Sequence, residues 1–301
     1  MKRLSTFLTL IIAGLMSMQA QALNVLACEP EWQSLTQTLA GDLAKVASAT
    51  TAFQNPHHIQ ARPSLLARAR NADLIVCTGA ELESGWLPLL IRKSGNSNIQ
   101  QGQQGYFMAA DFVELQNKST QVDRSEGDVH GSGDPHFFLS PHYISKIAQA
   151  LSLRLQQLDP TNQAVYQKHL TAFNTRWSQS ISAWEEQAKS LKGVNFVVHH
   201  KSWFYLSQWL GFNMIATLEP KPGLPPTSSH LGKILTQIKQ QPVAGIITSA
   251  YQNTKAASWL QGKTQLPIIS LPYTVGGDND TNDLHDLFTR TITLLLSSHH
   301  D

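Results

Sequence analysis

One rhythm constrains this chain more than any other feature. Short aliphatic runs alternate with amphipathic helical stretches in two series, and one long helical stretch separates them. In the first series LNVLAC (23–28) leads into EPEWQSLTQTLAGD (29–42), whose helical pattern ends on Gly41, and KVASATTAF (45–53) precedes a loop. PSLLARARNA (63–72) leads into DLIVCTG (73–79), then LESGWLPLLIRKSG (82–95) and a short strand within GQQGYFMAADFVEL (102–115). The second series runs from NFVVHH (195–200) through FNMIATLE (212–219), VAGIITS (243–249) and PIISLPY (267–273), with helical segments between and a last helix at 283–298. Continuous apolar strands separated by helices are the pattern of parallel sheets covered on both faces.

Between the series, one helix is expected over Pro141–Leu158 and a second from Thr161 to about Leu191. The second carries Val165, Leu170, Phe173, Trp177, Ile181 and Trp184 at helical spacing. At 1.5 Å per residue, roughly 30 residues reach about 45 Å, enough to run alongside two lobes. The expected architecture is α/β: two Rossmann-like lobes with parallel sheets (23–158 and 193–301) joined by one long α-helix (159–192). The polar, Gly-rich stretch 117–135 reads as an exposed loop.

The first 22 residues have Lys2 and Arg3, an apolar run from about Leu4 to Met16, and Ala20-Gln21-Ala22 as an A-x-A cleavage site, which reads as a cleavable signal peptide and a periplasmic destination. The run is too short to span a bilayer. An alternative is a lipobox at Val25-Leu26-Ala27-Cys28, although Gln19 and Gln21 separate that cysteine from the apolar run. Removing the leader takes 23 basic and 21 acidic residues to 21 and 21, because the leader holds two cations and no anion. A neutral chain without a basic cluster does not point to nucleic acid or an anionic membrane as partner. Cys28 and Cys77 each end an apolar run; neighbouring strands would let them form a disulfide, and two buried thiols are the other reading.

Three of the twelve histidines stand out by position. His57 lies in NPHHIQARPS, after a strand expected to end at Phe53. His136 closes the polar loop in DPHFFLSP, and His200 ends the run Asn195–Val198. In open α/β sheets ligands bind outside the carboxyl ends of the strands, so two facing lobes would let such residues converge in the cleft. Neutral imidazole suits zinc, usually four-coordinate at about 2.0–2.1 Å. The chain has no HExxH and no CxxC pair, so zincin and zinc-finger readings lack support.

Taken together, NPHHIQARPS, ADLIVCTGAELE, DPHFFLSP and HKSWFYLSQWLGF resemble the periplasmic solute-binding proteins of zinc and manganese ABC transporters, the class with a rigid linking helix. The resemblance runs over essentially the whole mature chain. It implies a non-enzymatic, monomeric carrier that delivers a divalent metal to an inner-membrane ABC permease, with the metal between the lobes. The family's first ligand falls on His57, with His58 in a variable position. The second falls on His136, with Phe138 in place of a tryptophan and Ser140 in place of the usual aspartate. The third falls on His200 in H-x-x-x-x-Y, with Ser202, Trp203 and Tyr205 following and His199 just before it as an accessory or packing residue.

The fourth position departs from the family. Manganese-type members place an aspartate after the last core strand, where this chain reads Ile268-Ile269-Ser270-Leu271-Pro272-Tyr273, and Asp278 is the nearest candidate. Three imidazoles with at most one carboxylate favour Zn(II) over Mn(II). The loop holds a single histidine, His130, which reads as solvated or as an accessory metal contact. Glu81 and Glu83 read as surface charge at a helix start or as hydrogen-bond partners of a ligand imidazole. The aromatic residues Trp203, Phe204, Tyr205 and Trp209 read as packing around the site, and His299-His300 as a frayed tail. A zinc hydrolase is the competing class, and it would need a general base that the sequence does not supply.

Overall fold

The computed structural model describes residues 22–118 and 130–298. Residues 1–21 of the expected leader and the tail histidines lie outside the described residues. The chain forms two four-stranded, all-parallel sheets with helices between successive strands, as the alternation implies.

The first sheet comprises β1 (Leu23–Ala27), β2 (Ala44–Ser48), β3 (Leu74–Cys77) and β4 (Tyr106–Met108), in the order β2-β1-β3-β4. Its helices are α1 (Pro30–Ala40), α2 (Pro63–Arg70) and α3 (Leu87–Ser94). Each has a proline in its first turn, where the missing N–H costs no intrahelical bond. The second sheet comprises β5 (Asn195–Val198), β6 (Asn213–Thr217), β7 (Gly245–Ser249) and β8 (Ile268–Leu271), in the order β6-β5-β7-β8. The helices α6 (Phe204–Leu210), α7 (Ser228–Ile238) and α8 (Lys255–Thr264) connect its strands, and α9 (Leu284–Ser297) closes the chain. Both sheets share one topology, with the first strand of each series inside and its successor at one edge.

Two helices link the sheets in sequence: α4 (Pro141–Leu158) and α5 (Gln163–Gln187), the second flanked by 3₁₀ turns at Pro160–Asn162 and Ala188–Leu191. The α-helical part is therefore shorter than expected from the sequence, about 38 Å for 25 residues. It packs on α1 and α4 at one end and on α9 at the other. Trp177 donates to the Pro141 carbonyl (2.8 Å), Trp184 donates to Thr289 Oγ1 (3.0 Å), and both indoles meet the Phe288 ring. One face of α5 thus belongs to a core shared by both lobes. The expected stripe holds except at its first residue: Val165 is 38% exposed and Tyr166 fully buried, because Tyr166, Leu170, Phe173 and Trp177 keep the 3–4 spacing of one face.

Cys28 and Cys77 form a disulfide, with Cα atoms 4.7 Å apart. The parallel pairing of Ala27 with Val76 brings the two following residues side by side. Processing at a lipobox cysteine 28 would remove β1, which pairs with both β2 and β3.

Two loop expectations are corrected. The second strand stops at Ser48, not Phe53, which is 63% exposed. Thr50 turns its hydroxyl onto the Cys28 carbonyl (2.9 Å), and a turn follows from Thr51 to Gln54. The end of the polar loop is buried: Gly133, Asp134 and Pro135 pack beneath the surface. Gly133 has φ +127°, and a Cβ there would lie 2.7 Å from the Leu115 side chain, so glycine is required for this descent.

Candidate metal centre

His57 and His136 are presented by the same local device. In Asn55-Pro56-His57, Asn55 Oδ1 accepts the His57 backbone N–H (3.0 Å) and its ring Nδ1–H (2.9 Å). In Asp134-Pro135-His136, Asp134 Oδ1 accepts the corresponding groups at 2.9 and 2.7 Å. Proline fixes the middle backbone angle, and a short Asx side chain closes the turn and grips the ring two residues on. Trp86 anchors the first turn by donating to the Pro56 carbonyl (2.8 Å), and Gly85 lies so close that a Cβ would sit 2.9 Å from the His57 carbonyl oxygen.

His200 arrives from the carboxyl end of β5. Its Nδ1 is 2.6 Å from Glu219 Oε2, and that oxygen also accepts the Gly223 N–H (2.9 Å). Glu219 follows β6, the neighbour of β5, so the sheet itself brings the pair together. In all three imidazoles an acceptor oxygen holds Nδ1 as the proton-bearing nitrogen, which leaves Nε2 as a lone pair.

The three rings converge, with centroids 6.3 Å apart for His57 and His136, 6.4 Å for His57 and His200, and 5.7 Å for His136 and His200. All three residues are buried, and His136 Nε2 is buried without a hydrogen-bond partner among the described residues. His130 joins them: its Nε2 lies 3.1 Å from His57 Nε2, and its ring is 5.2 Å from that of His57 and 6.4 Å from that of His136.

Four imidazoles around one tetrahedral ion, about 2.0–2.1 Å from each nitrogen, would place ring centroids about 5 Å apart. His57 and His130 already have that spacing, at 5.2 Å, while the pairs that involve His136 or His200 are wider, at 5.7–6.4 Å. Among the described residues the one trio of ligand atoms within 4.8 Å of each other is Cys28, Cys77 and Glu83, and its sulfurs are already joined. An ion would therefore draw the histidine rings inward by about an ångström.

The electrostatics suit a cation. Burial pushes the His57 imidazolium well below its usual range, and neighbouring His136, His130 and His200 add to the shift. Burial, helped by His136, brings His130 down to about 4 against the opposing pull of Asp134 and Glu81. For Asp134 burial alone would raise the pKa, but His136 outweighs it and keeps the carboxylate charged below its normal range.

The other candidates lie outside this convergence. His58 is exposed, 6.2 Å ring to ring from His57. His199 is buried with its Nε2 3.8 Å from Glu219 Oε1. Asp278 is not brought to the histidines: its carboxylate accepts from Thr281 Oγ1, the Asp280 N–H (3.1 Å) and Arg290 Nε (2.7 Å), capping the turn before α9. Glu81 is exposed, as a surface charge would be, but the same reading of Glu83 needs correction. Glu83 is buried and accepts the N–H groups of Thr78 (2.7 Å) and Gly79 (3.0 Å), while Glu81 grips the backbone after His130.

A buried acidic group, Glu29, Glu31 and Glu83, follows the carboxyl ends of β1 and β3. Glu29 Oε2 accepts from Thr78 Oγ1 (3.0 Å), which in turn accepts from Trp32 Nε1 (2.8 Å), and Thr274 from the second lobe donates to Glu31. Burial raises Glu31 and Glu83 to about 7 and raises Glu29 well above its usual range, with the Glu83 charge adding to the Glu29 shift. Buried Tyr273 is ring-packed against His136 and Phe138 on the same side.

Comparison with known proteins gives three findings. The family model described as "zinc-uptake complex component A, periplasmic" matches residues 25–295. Among curated proteins, the zinc-binding lipoprotein AdcA of Streptococcus pneumoniae (strain ATCC BAA-255 / R6) is 24% identical over 255 residues, 82% of this chain. That alignment spans half of AdcA's own length. The manganese ABC transporter substrate-binding lipoprotein PsaA of Streptococcus pneumoniae is 23% identical over 294 residues, covering 91% of this chain and 90% of PsaA. Among solved structures, the crystal structure of ZnuA superposes with a TM-score of 0.75 at 19% identity, covering 92% of this chain and 98% of that one. At that identity the superposition speaks for the fold alone.

Proposed function

The chain belongs to the family of periplasmic components of zinc-uptake complexes, and from that premise we propose that it captures Zn(II) between its lobes and hands it to an inner-membrane ABC permease. The family is one of solute-binding proteins, so the reading is of a carrier and not a catalyst. Its place of action is outside the cytoplasmic membrane.

The observation that carries this reading is His136 Nε2, a buried lone pair with no protein partner among the described residues. Such an atom is costly unless a cation or donor meets it. Its neighbours are the imidazoles of His57 and His200, likewise held through Nδ1, and these three are the metal ligands we assign, with His130 as the fourth. Asn55, Asp134 and Glu219 fix ring orientation and tautomer, as outer partners of metal-bound histidines do.

An all-nitrogen set supports zinc over manganese, because imidazole suits Zn(II) while Mn(II) prefers harder oxygen ligands. PsaA, a manganese protein by name, keeps Mn(II) as the second reading. The carboxylates of Asp134 and Glu219 touch Nδ1 atoms and not the point of convergence, and Asp278 is engaged elsewhere, which weighs against that reading.

The test is metal content and competitive Zn(II) affinity of the chelator-stripped protein, with His57→Ala, His136→Ala and His200→Ala. One equivalent of zinc is expected, weakened at least 100-fold by each substitution and preferred over Mn(II). Zinc binding indifferent to all three would sink the site assignment.

A further inference from the structure

We propose that Glu81 is a latch that positions His130 in the metal site, an inference that rests on the reading of His130 as the fourth imidazole. Each of the other three rings has a side-chain oxygen fixing its Nδ1. His130 has none among the described residues: its Nδ1 is buried without a partner, while its Nε2 lies 3.1 Å from His57 Nε2. Apart from that contact with His57, the ring's placement comes through its backbone.

Glu81 supplies that hold. Its Oε2 accepts the Gly131 N–H (2.8 Å), and its Oε1 accepts the Ser132 N–H (3.3 Å) and hydroxyl (2.6 Å). One carboxylate thus grips both residues that follow His130. The far side of the segment has an independent anchor, where the Asp134 N–H donates to the Gln116 carbonyl at 2.9 Å.

The latch stands on a rigid base. Glu83 holds the N–H groups of Thr78 and Gly79. The next three residues, Gly79, Ala80 and Glu81, all have left-handed backbones, with φ of +76°, +49° and +68°. Non-glycine residues take that conformation only where their surroundings enforce it, and such strain collects at ligand clamps. Here the consequence is that a side chain at the carboxyl end of β3 meets residues some fifty positions later, beside the metal ligands.

The experiment compares Zn(II) affinity and the Co(II) visible spectrum in the wild type, Glu81→Ala, Glu81→Gln, His130→Ala and the Glu81→Ala/His130→Ala pair. Glu81→Ala is expected to weaken zinc about 10–100-fold, the range seen when an outer partner of a metal ligand is lost. Its Co(II) spectrum should shift as that of His130→Ala does, because both lose the same nitrogen. The double variant should bind no more weakly than His130→Ala alone, since a residue acting through His130 has nothing left to act on. Glu81→Gln, which keeps an acceptor oxygen without the charge, should fall between the wild type and Glu81→Ala. Additive losses, or wild-type affinity in Glu81→Ala beside a weakened His130→Ala, overturn the latch while leaving the fourth imidazole in place. Wild-type affinity in His130→Ala removes the fourth imidazole and the latch together, and leaves the three-histidine reading to its own variants.

Discussion

A single oxygen of Asp134 accepts both the backbone N–H and the ring Nδ1–H of His136. The contact sets where the ring sits, which nitrogen carries its proton, and how electron-rich the free Nε2 becomes. Asp134→Ala is therefore expected to reduce zinc affinity about 10–100-fold, while Asp134→Asn reduces it less. Asn55 already performs the same task for His57 with an amide. Competition against a chromophoric chelator measures both, and equal losses from the two variants would show that geometry does not carry the effect.

The proton competes with zinc for each imidazole that titrates in the working range. From the unperturbed pKa of about 6.5, affinity would be expected to fall steeply below that pH for every ligand. The structure changes this for two of the four: burial first, then neighbouring histidines, keep His57 and His130 neutral, with His130 at about 4. Both shifts act in one direction, so fewer protons are released when zinc enters than four free imidazoles would release. The logarithm of affinity should accordingly change by less than four units per pH unit as pH falls towards 5. Isothermal titration in buffers of different ionisation heat counts the protons directly; release of four would refute the burial argument.

The Cys28–Cys77 disulfide closes a stretch of 49 residues that includes His57 and its turn. Its effect falls mainly on the unfolded chain, where closing a loop of that size is worth about 4 kcal/mol in the chain-entropy model. Cys28→Ser with Cys77→Ser is expected to cost roughly 2–4 kcal/mol of stability. Zinc affinity should change less than threefold, because His57, His136 and His200 are each held by a side-chain oxygen of their own. Urea unfolding checks the first part and chelator competition the second.

The fold was legible because buried parallel strands leave continuous apolar runs, and DLIVCTG or VAGIITS could not be mistaken for surface. Local rules failed where side chains bridge distant segments. Phe53 read as strand because its neighbours are β-prone, yet the ladder ends at Ser48. Spacing alone could not reveal Glu219, since only the β5–β6 pairing carries it to His200. The signal was nonetheless present: a lone carboxylate directly after a strand, at the end where ligands bind. Asp278 misled for the opposite reason, because proximity in sequence to the expected position says nothing about Arg290, twelve residues on, which engages it.

The buried carboxyl group of Glu31 makes a claim about stability. In the folded chain burial raises its pKa from 4.5 to about 7, against the opposing bond from Thr274. A carboxyl raised on folding holds its proton more tightly when folded, so its contribution is fully present below the unfolded value, near 4.5. That contribution is lost as pH rises towards and through about 7. The loss is roughly 3 kcal/mol for one such group. Glu31→Gln keeps an oxygen for the Thr274 hydroxyl and cannot ionise. Its stability relative to the wild type should therefore improve between pH 5 and pH 8, with the two proteins closest at pH 5. Unfolding curves for the metal-free proteins across that range decide the matter: parallel pH profiles would mean that the carboxyl is not the group that titrates, and would move attention to its buried neighbours Glu29 and Glu83.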